Sequence, residues 1–243
     1  MAYQNSNQSF AQKTPNRALP FRKCFFSTLN PVGKFYAGIG ARDAPKHIKE
    51  IALKLGYYLA LEGYILRSGG AEGMDDYFEA GADLAMMQLS TVQKQIFLPN
   101  PNAWGNPSCW NMPSEEALKT VEIYHKYGKN MESRTKNLMG RNAHQVLGPD
   151  LKEHSKFVVC WTKDGCITDE ARNYDKKLGT GGTGQAISIA DAHSIPIFNL
   201  QRKEDLNKIL NKIKIWENKH GLCPDVKLLM NAKPKAEQKI LKI

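Results

Sequence analysis

The sequence has few of the features that mark an extracellular, membrane-spanning or metal-binding protein. Its five cysteines are scattered, odd in number and without a CxxC pair, which argues against a disulfide framework and a structural zinc site. It contains no run of 18 apolar residues, and its first residues have no apolar stretch after a basic one, so neither a membrane span nor a secretory signal is predicted. We expect a cytoplasmic protein without a bound metal, a cofactor or a membrane partner.

The basic charge is confined to the two ends of the chain. The net charge is +10, but residues 34–200 contain 19 bases and 19 acids. Residues 1–33 carry four bases and no acid, and residues 201–243 carry eleven bases against five acids. A neutral central region gives little support to nucleic-acid binding there, so only the basic ends remain as candidate contacts, and that interaction is not favoured.

Alternating hydrophobic patterns predict an α/β fold with a doubly wound, mainly parallel sheet and helices on both faces. Strand-length apolar runs are separated by longer amphipathic segments, which is typical of parallel βαβ units. The predicted strands are 34–39, 64–67, 95–98, 157–161 and 195–199, and the predicted helices are 45–62, 75–88, 114–127, 131–146, 184–193 and 204–219.

The same patterns divide the chain into three parts. Residues 1–33, rich in Asn, Gln, Ser and Pro, are predicted to form a flexible N-terminal arm. Residues 34–200 form the predicted α/β domain. Residues 201–243 are predicted to add a basic helix and tail to it. Two tryptophans in the proline-rich segment 99–113, Trp104 and Trp110, are candidates for a lid.

Three glycine clusters lie where a predicted strand leads into a helix. Since the carboxyl ends of parallel strands share one edge of a sheet, the three turns are expected to converge there. Backbone amides at such turns and helix N-termini favour anions such as phosphate. None of the three clusters, which are residues 38–42, 68–73 and 181–184, is itself a GxGxxG or a GxxxxGK[ST] motif, which argues against a dinucleotide-dependent enzyme and a P-loop NTPase. The residues of the three turns that we assign to ligand binding are Gly38, Gly40, Arg42, Ser68, Gly69, Gly70, Gly73, Gly181, Gly182, Thr183 and Gly184.

Four further side chains are candidates for the same edge. Asp75 and Glu79 are four residues apart, hence on one helix face, and could serve as catalytic carboxylates, although a first-turn capping role for Asp75 and an exposed position for Glu79 are equally compatible with the pattern. Trp161 ends a strand and could stack on a nucleobase or lie in the core. Asn142 is the polar helical residue that we assign to the ligand.

The motifs GIGARDAP and LRSGGAEGMDDYFEAGA resemble the opening of the DNA-processing protein DprA, whereas MGRN, FVVCW and GGTGQAI resemble the LOG phosphoribohydrolases. The chain is thus similar to the SMF/DprA–LOG (SLOG) superfamily over about residues 34–200, and the combination resembles small phage-encoded members. The resemblance implies a Rossmann-like nucleotide-binding domain, a homo-oligomer, and contact between Arg141 and the phosphate or sugar of the ligand.

The resemblance is incomplete at the third turn. Gln185, Ile187 and Ser188 stand where the LOG pattern has a threonine and two glutamates, so the acids implied in glycosidic cleavage are missing. We therefore expect a protein that binds a small phosphorylated nucleotide derivative as a sensor or sequestering protein. A nucleotide N-glycosidase and a DprA-like single-strand DNA-binding protein are the alternative hypotheses.

Overall fold

The computed structural model describes residues 33–101, 103–175 and 177–225. Almost all of the predicted N-terminal arm and the end of the predicted tail therefore lie outside the described residues. The strands are β1 (Lys34–Gly38), β2 (Tyr64–Ser68), β3 (Lys94–Ile96), β4 (Val158–Cys160) and β5 (Ile197–Asn199). The helices are α1 (Lys46–Leu61), α2 (Met74–Gln88), α3 (Glu115–Tyr124), α4 (Ser133–Leu147), α5 (Thr183–Ala192) and α6 (Lys203–His220).

The five strands form one parallel sheet in the order β3-β2-β1-β4-β5. From β1 the chain winds outward through β2 and β3, and it then returns to place β4 on the other side of β1. This reversal confirms the predicted doubly wound, Rossmann-like α/β fold. It also separates the connections that leave β1 and β4. The place where the strand order reverses is called a topological switch point, and it creates a crevice at the carboxyl ends of the two strands.

The core lies in two layers, one on each face of the sheet. Successive strand residues point to opposite faces. Tyr36 of β1 accordingly packs in the layer formed with α1, α2 and α6, whereas its neighbour Ala37 packs in the layer formed with α4 and α5. Both residues are fully buried. Helices thus cover both faces and leave the strand ends as the place where a ligand can enter.

Glycines bring α1 and α2 into close contact. A Cβ atom at Gly56 would lie 2.5 Å from the Phe78 carbonyl oxygen, and a Cβ atom at Gly81 would overlap the backbone of Leu53. Only residues without a side chain permit this approach. Helix α2, which carries Asp75, therefore packs closely on α1.

The predicted elements are all present, with ends shifted by up to three residues. The Ser114 side chain accepts a hydrogen bond from the Ala117 amide at 3.1 Å, which confirms the predicted helix start. Helix α3 ends at Tyr124 rather than at residue 127, because the chain turns into a short 3-10 segment whose Gly128 fits against the backbone of Val121.

Helix α6 packs against α1. Trp216 stacks on Tyr58 with ring centroids 6.4 Å apart. Glu62 lies 2.7 Å from Lys219 and 2.6 Å from His220, and these partners lower the pKa of Glu62 to about 2. The last turn of this basic helix is therefore partly neutralised by an acid of α1. Within the described ranges, neither α6 nor any other helix has the length and apolarity needed to cross a membrane.

Candidate functional site

A cavity of about 310 Å³ lies at the carboxyl edge of the sheet. Its wall is built from the turn after β1, the start of α2, the middle of α4 and the turn before α5. The structure thus brings together segments that are more than 100 residues apart in the chain. The predicted site residues that line the cavity are Gly40, Arg42, Asp75, Arg141, Asn142, Gly181, Gly182 and Thr183.

Asp75 holds the first two glycine turns together. One carboxylate oxygen accepts a hydrogen bond from the Gly40 amide at 3.2 Å, and the other accepts one from the Ala71 amide at 3.4 Å. The amides on either side of Gly40, those of Ile39 and Ala41, donate to carbonyl groups of the β4 segment, each at 3.1 Å. The expectation that all three turns offer free amides to a ligand is therefore wrong for the first turn and for Ala71 of the second, since these donors are already satisfied within the protein.

The Asp75 carboxyl group is almost completely buried. Burial raises the pKa of Asp75 to about 6, although the Arg141 guanidinium and the neighbouring amides act in the opposite direction. The nearest guanidinium nitrogen of Arg141 is 3.8 Å from the carboxylate. Asp75 therefore faces the cavity as a group that changes charge close to neutral pH.

Arg141 contributes a buried cation to the same wall. Its Nη1 atom donates to the Gly69 carbonyl oxygen, which ties α4 to the second turn. The Trp104 ring lies over the guanidinium with 5.0 Å between the Arg141 Cζ atom and the ring centroid. The Arg141 Nε atom is buried and has no partner among the described residues. Arg141 therefore retains one donor that its protein neighbours do not use.

Trp104 is held over Arg141 by an unusual backbone conformation. Its φ angle of 56° lies in the left-handed region, which costs a bulky residue free energy. The side chain is 38% exposed, so one ring face covers the guanidinium while much of the ring remains open to solvent. This geometry is compatible with the predicted lid, which stays a prediction. Trp110, by contrast, packs on Phe97 with ring centroids 5.8 Å apart and fastens the loop to β3.

In the third turn, three consecutive amides are unoccupied. Among the described residues, none accepts a hydrogen bond from the amides of Gly181, Gly182 or Thr183. A Cβ atom at Gly181, whose φ angle is +66°, would meet nothing within 4 Å. These amides precede and begin α5, where the helix dipole favours negative charge. The turn therefore presents free backbone N–H donors of the kind that favour an anion.

Two amide side chains of α4 complete the wall. The Asn142 Nδ2 atom donates to the Gly182 carbonyl oxygen at 3.0 Å and so positions the third turn. Gln145 also lines the cavity, is only 1% exposed, and has no hydrogen-bond partner for either side-chain atom among the described residues. Among the polar neighbours of Arg141 on this helix, only Asn142 was assigned to the ligand from the sequence, although Gln145 lies four residues after Arg141 and hence on the same helix face.

Glu79 does not reach the cavity. Its carboxylate lies 2.8 Å from the Lys94 ammonium group and 3.4 Å from the Asn106 side-chain nitrogen. The shared helix face with Asp75 was a sound expectation, but Glu79 sits one turn further from the sheet edge and is used to join α2 to β3 and the following loop. The structure therefore gives no support to Glu79 as a catalytic carboxylate.

Trp161 lies in the core rather than in the cavity. It is 5% exposed, packs in the layer of α1 and α6, and donates from Nε1 to the Gln201 side-chain oxygen at 3.0 Å. Because successive residues of the β4 segment alternate between faces, Trp161 points away from the α4 side, which carries Arg141. The interpretation of Trp161 as a base-stacking residue is therefore wrong.

The remaining predicted residues support the turns without lining the cavity. The Ser68 hydroxyl donates to the Gly38 carbonyl oxygen at 2.6 Å and joins β2 to β1. Gly69 is covered by the side chains of Arg141 and Gln145, and a Cβ atom at Gly73 would lie 2.5 Å from the Arg42 Cα atom. Gly38, Gly70 and Gly184 are likewise in close contact with protein side chains.

The cavity combines three kinds of surface. Arg42 and Arg141 supply positive charge, the third turn supplies unoccupied amides, and Ile39 and Met139 supply apolar contact. The cavity therefore offers a ligand positive charge, backbone donors and apolar contact.

Comparisons with protein-family models, with curated proteins and with solved structures found no match. The described residues contain no cluster of three or more side chains suited to hold a metal ion.

Proposed function

We propose that this protein binds a small phosphorylated nucleotide derivative in the cavity and acts as a sensor or sequestering protein. Nucleoside monophosphates, ADP-ribose-like molecules and cyclic signalling nucleotides belong to this ligand class. The observation that carries the proposal is the set of unoccupied amides at residues 181–183, which shares one cavity with Arg42 and Arg141. An anion at the start of α5 would receive backbone hydrogen bonds and charge-assisted bonds from the guanidinium groups.

The size and the lining of the cavity support the same ligand class. Sites for small molecules occupy roughly 300–1,000 Å³ and combine apolar walls with a few polar groups. The cavity here, at about 310 Å³, is at the lower end of that range. A base can lie against Ile39, Leu138 and Met139 while its phosphate occupies the third turn. The position at the β1/β4 switch point is where open α/β sheets bind ligands.

We also propose, from the motifs described above, that the chain is a divergent member of the SLOG superfamily. The order of its sheet and the placement of its glycine turns at one edge support this assignment. The homo-oligomer implied by that resemblance is part of the same proposal, and size-exclusion chromatography with light scattering tests it directly.

A thermal-shift screen of nucleotides, followed by mass spectrometry of the recovered ligand, tests the binding proposal. We expect at least one phosphorylated nucleotide to raise the melting temperature and to be recovered intact. The Arg42→Ala variant should keep its fold, because Arg42 is exposed, and should bind that nucleotide roughly tenfold more weakly.

Arg134→Ala is the matched control. Arg134 is an exposed arginine of α4 that does not line the cavity, so its removal should leave nucleotide binding unchanged. Equal losses in the two variants would show only a general effect of positive charge. If no nucleotide raises the melting temperature of the wild-type protein, the proposal is wrong.

One observation favours a nucleotide N-glycosidase as the second candidate. Asp75 presents a buried carboxyl group to the cavity with a pKa of about 6, which suits a group that exchanges protons or stabilises a positive sugar. Against it, Gln185, Ile187 and Ser188 are fully buried and do not line the cavity. Release of free base, measured chromatographically and lost in Asp75→Asn, would favour the enzyme; recovery of intact nucleotide favours the sensor.

A further inference from the structure

We infer that Gln145 determines specificity in this cavity by binding the hydrogen-bonding edge of a neutral nucleobase. The inference rests on the proposed function, because it assigns a role to one residue within the proposed nucleotide site. It goes further in fixing the orientation of the ligand, with the phosphate at the third turn and the base edge at α4.

The observation that carries this inference is a side chain with two unused polar atoms. Gln145 is 1% exposed, and neither its Nε2 nor its Oε1 atom has a hydrogen-bond partner among the described residues. Buried polar groups in native proteins are nearly always paired, because an unpaired one carries a desolvation cost. A buried amide with both ends unpaired therefore indicates a partner that arrives from outside the chain.

The position of Gln145 shows where that partner would lie. The residue lines the cavity together with Arg141, four residues earlier on α4. A Cβ atom placed on Gly69 would overlap both the Gln145 Nε2 and the Arg141 Nη1 atoms, so the two side chains lie side by side over the second turn. A ligand that touches Arg141 is thus within reach of the Gln145 amide.

A second buried glutamine shows that burial alone is not the reason. Gln185 is fully buried and its Oε1 atom also has no described partner, but its Nε2 atom donates to the Thr120 carbonyl oxygen at 3.2 Å. Gln185 does not line the cavity. Its amide is anchored to the protein at one end, whereas the Gln145 amide is available at both.

The chemistry of a carboxamide selects the kind of partner. It presents one donor and one acceptor side by side, and a glutamine satisfies both by pairing with a base edge such as that of adenine. A phosphate oxygen could accept from Nε2 but would leave Oε1 facing negative charge. The anion therefore fits the amides of the third turn, and a neutral donor–acceptor edge fits Gln145.

The test compares nucleotides with a probe that has the same sugar phosphate but no base. AMP, GMP, CMP, UMP and ribose 5-phosphate are titrated by calorimetry into wild-type protein and Gln145→Met, which keeps the length of the side chain. We expect the best nucleotide to bind the wild type more tightly than ribose 5-phosphate does. In Gln145→Met its dissociation constant should rise by roughly 5- to 100-fold, while that of ribose 5-phosphate stays the same.

A melting experiment without ligand distinguishes recognition from structural support. Since Gln145→Met removes two unpaired polar atoms, its melting temperature should be unchanged or higher than that of the wild type. Gln145→Glu is a second variant, which keeps the shape of the side chain but replaces its NH2 donor with an oxygen. The new carboxylate lies beside the Arg141 cation, and this variant should also lose the base preference. Gln185→Met is the matched control and should leave both dissociation constants unchanged.

Two results would overturn the inference in distinguishable ways. If the best nucleotide and ribose 5-phosphate weaken equally in Gln145→Met, Gln145 only shapes the cavity, and the proposed function stands without this role. If neither these five probes nor any nucleotide of the thermal-shift screen binds the wild-type protein, the proposed function fails and the role of Gln145 fails with it.

Discussion

The three glycine turns have similar compositions but differ in whether a protein side chain accepts hydrogen bonds from their amides. In the first two turns, the amides of Gly40 and Ala71 donate to Asp75. In the third, no described residue accepts from the amides of Gly181 or Gly182. The amides of Gly40 and Ala71 therefore stabilise the fold, whereas those of Gly181 and Gly182 are open to a ligand.

The comparison shows that glycine at a strand–helix junction has two distinct uses. At Gly73 the absence of a side chain allows the backbone of Arg42 to pass within contact distance. At Gly181 the surrounding space is open, and the absence of a side chain leaves the backbone accessible. A glycine-rich turn thus indicates that another group comes close to its backbone. Where the protein supplies a hydrogen-bond acceptor, that group belongs to the protein; where it supplies none, the backbone is free for a ligand.

Replacement of Asp75 by alanine should have the largest effect on the turns. It removes the acceptor for two amides and leaves the buried Arg141 cation without its nearest carboxylate. We expect a loss of about 3–5 kcal/mol in the free energy of unfolding at pH 7.5, measured by urea denaturation. Asp76→Ala is the control, since Asp76 is half-buried and is repelled by Asp75 and Glu79, and its loss should be much smaller. Equal losses would mean that Asp75 does not hold the turns.

The charge of Asp75 should make stability depend on pH. Its pKa is raised from 3.8 to about 6, so the folded state binds this proton more tightly than the unfolded state does. The resulting stabilisation is complete below about pH 4 and is lost as the pH rises through 6. Relative to Asp75→Asn, the wild type should lose up to about 3 kcal/mol between pH 4 and pH 7.5. Parallel pH profiles of unfolding free energy for the two proteins would contradict this expectation.

Alanine at Gly73 and at Gly182 should separate the two uses of glycine. Gly73 has a φ angle of +102° and no room beside Arg42, so Gly73→Ala should lose about 2–3 kcal/mol in unfolding free energy. Gly182 has a φ angle of −65°, and its new Cβ would meet only the flexible end of Met139 at 3.2 Å. Gly182→Ala should stay within about 0.5 kcal/mol of the wild type but bind the nucleotide more weakly. If instead Gly73→Ala weakened nucleotide binding at unchanged stability and Gly182→Ala lost stability, the ligand would lie at the second turn.

Trp161→Phe should have the smallest effect and should concern the core alone. The change removes the hydrogen bond to Gln201 and part of the ring, so we expect a loss of about 1 kcal/mol in unfolding free energy. Nucleotide affinity, measured by calorimetry, should remain within about twofold of the wild type. A large loss of nucleotide affinity at unchanged stability would show that Trp161 belongs to the binding site.

The sequence predicted the elements well because their signals are local. Apolar runs of strand length, amphipathic helices and a serine cap at Ser114 depend on neighbouring residues, and the observed elements follow them closely. The convergence of the three turns at one edge also followed, since parallel strands direct all their carboxyl ends the same way.

The errors concern side chains whose surroundings come from distant parts of the chain. Glu79 was a reasonable carboxylate by helical spacing, but its ion pair with Lys94 depends on β3. The placement of Trp161 depends on which face of the sheet receives it. Gln145 went unassigned because its missing partners are visible only when α4 is packed against the second turn.

The amino-acid sequence by itself determined the α/β architecture and the three glycine turns, because periodicity and glycine act over a few residues. Only the tertiary structure decided that Asp75 occupies the amides of Gly40 and Ala71 while those before α5 remain open. Hydrogen-bond acceptors are supplied across long sequence separations, and a donor stays available to a ligand only where the folded chain brings no acceptor to it.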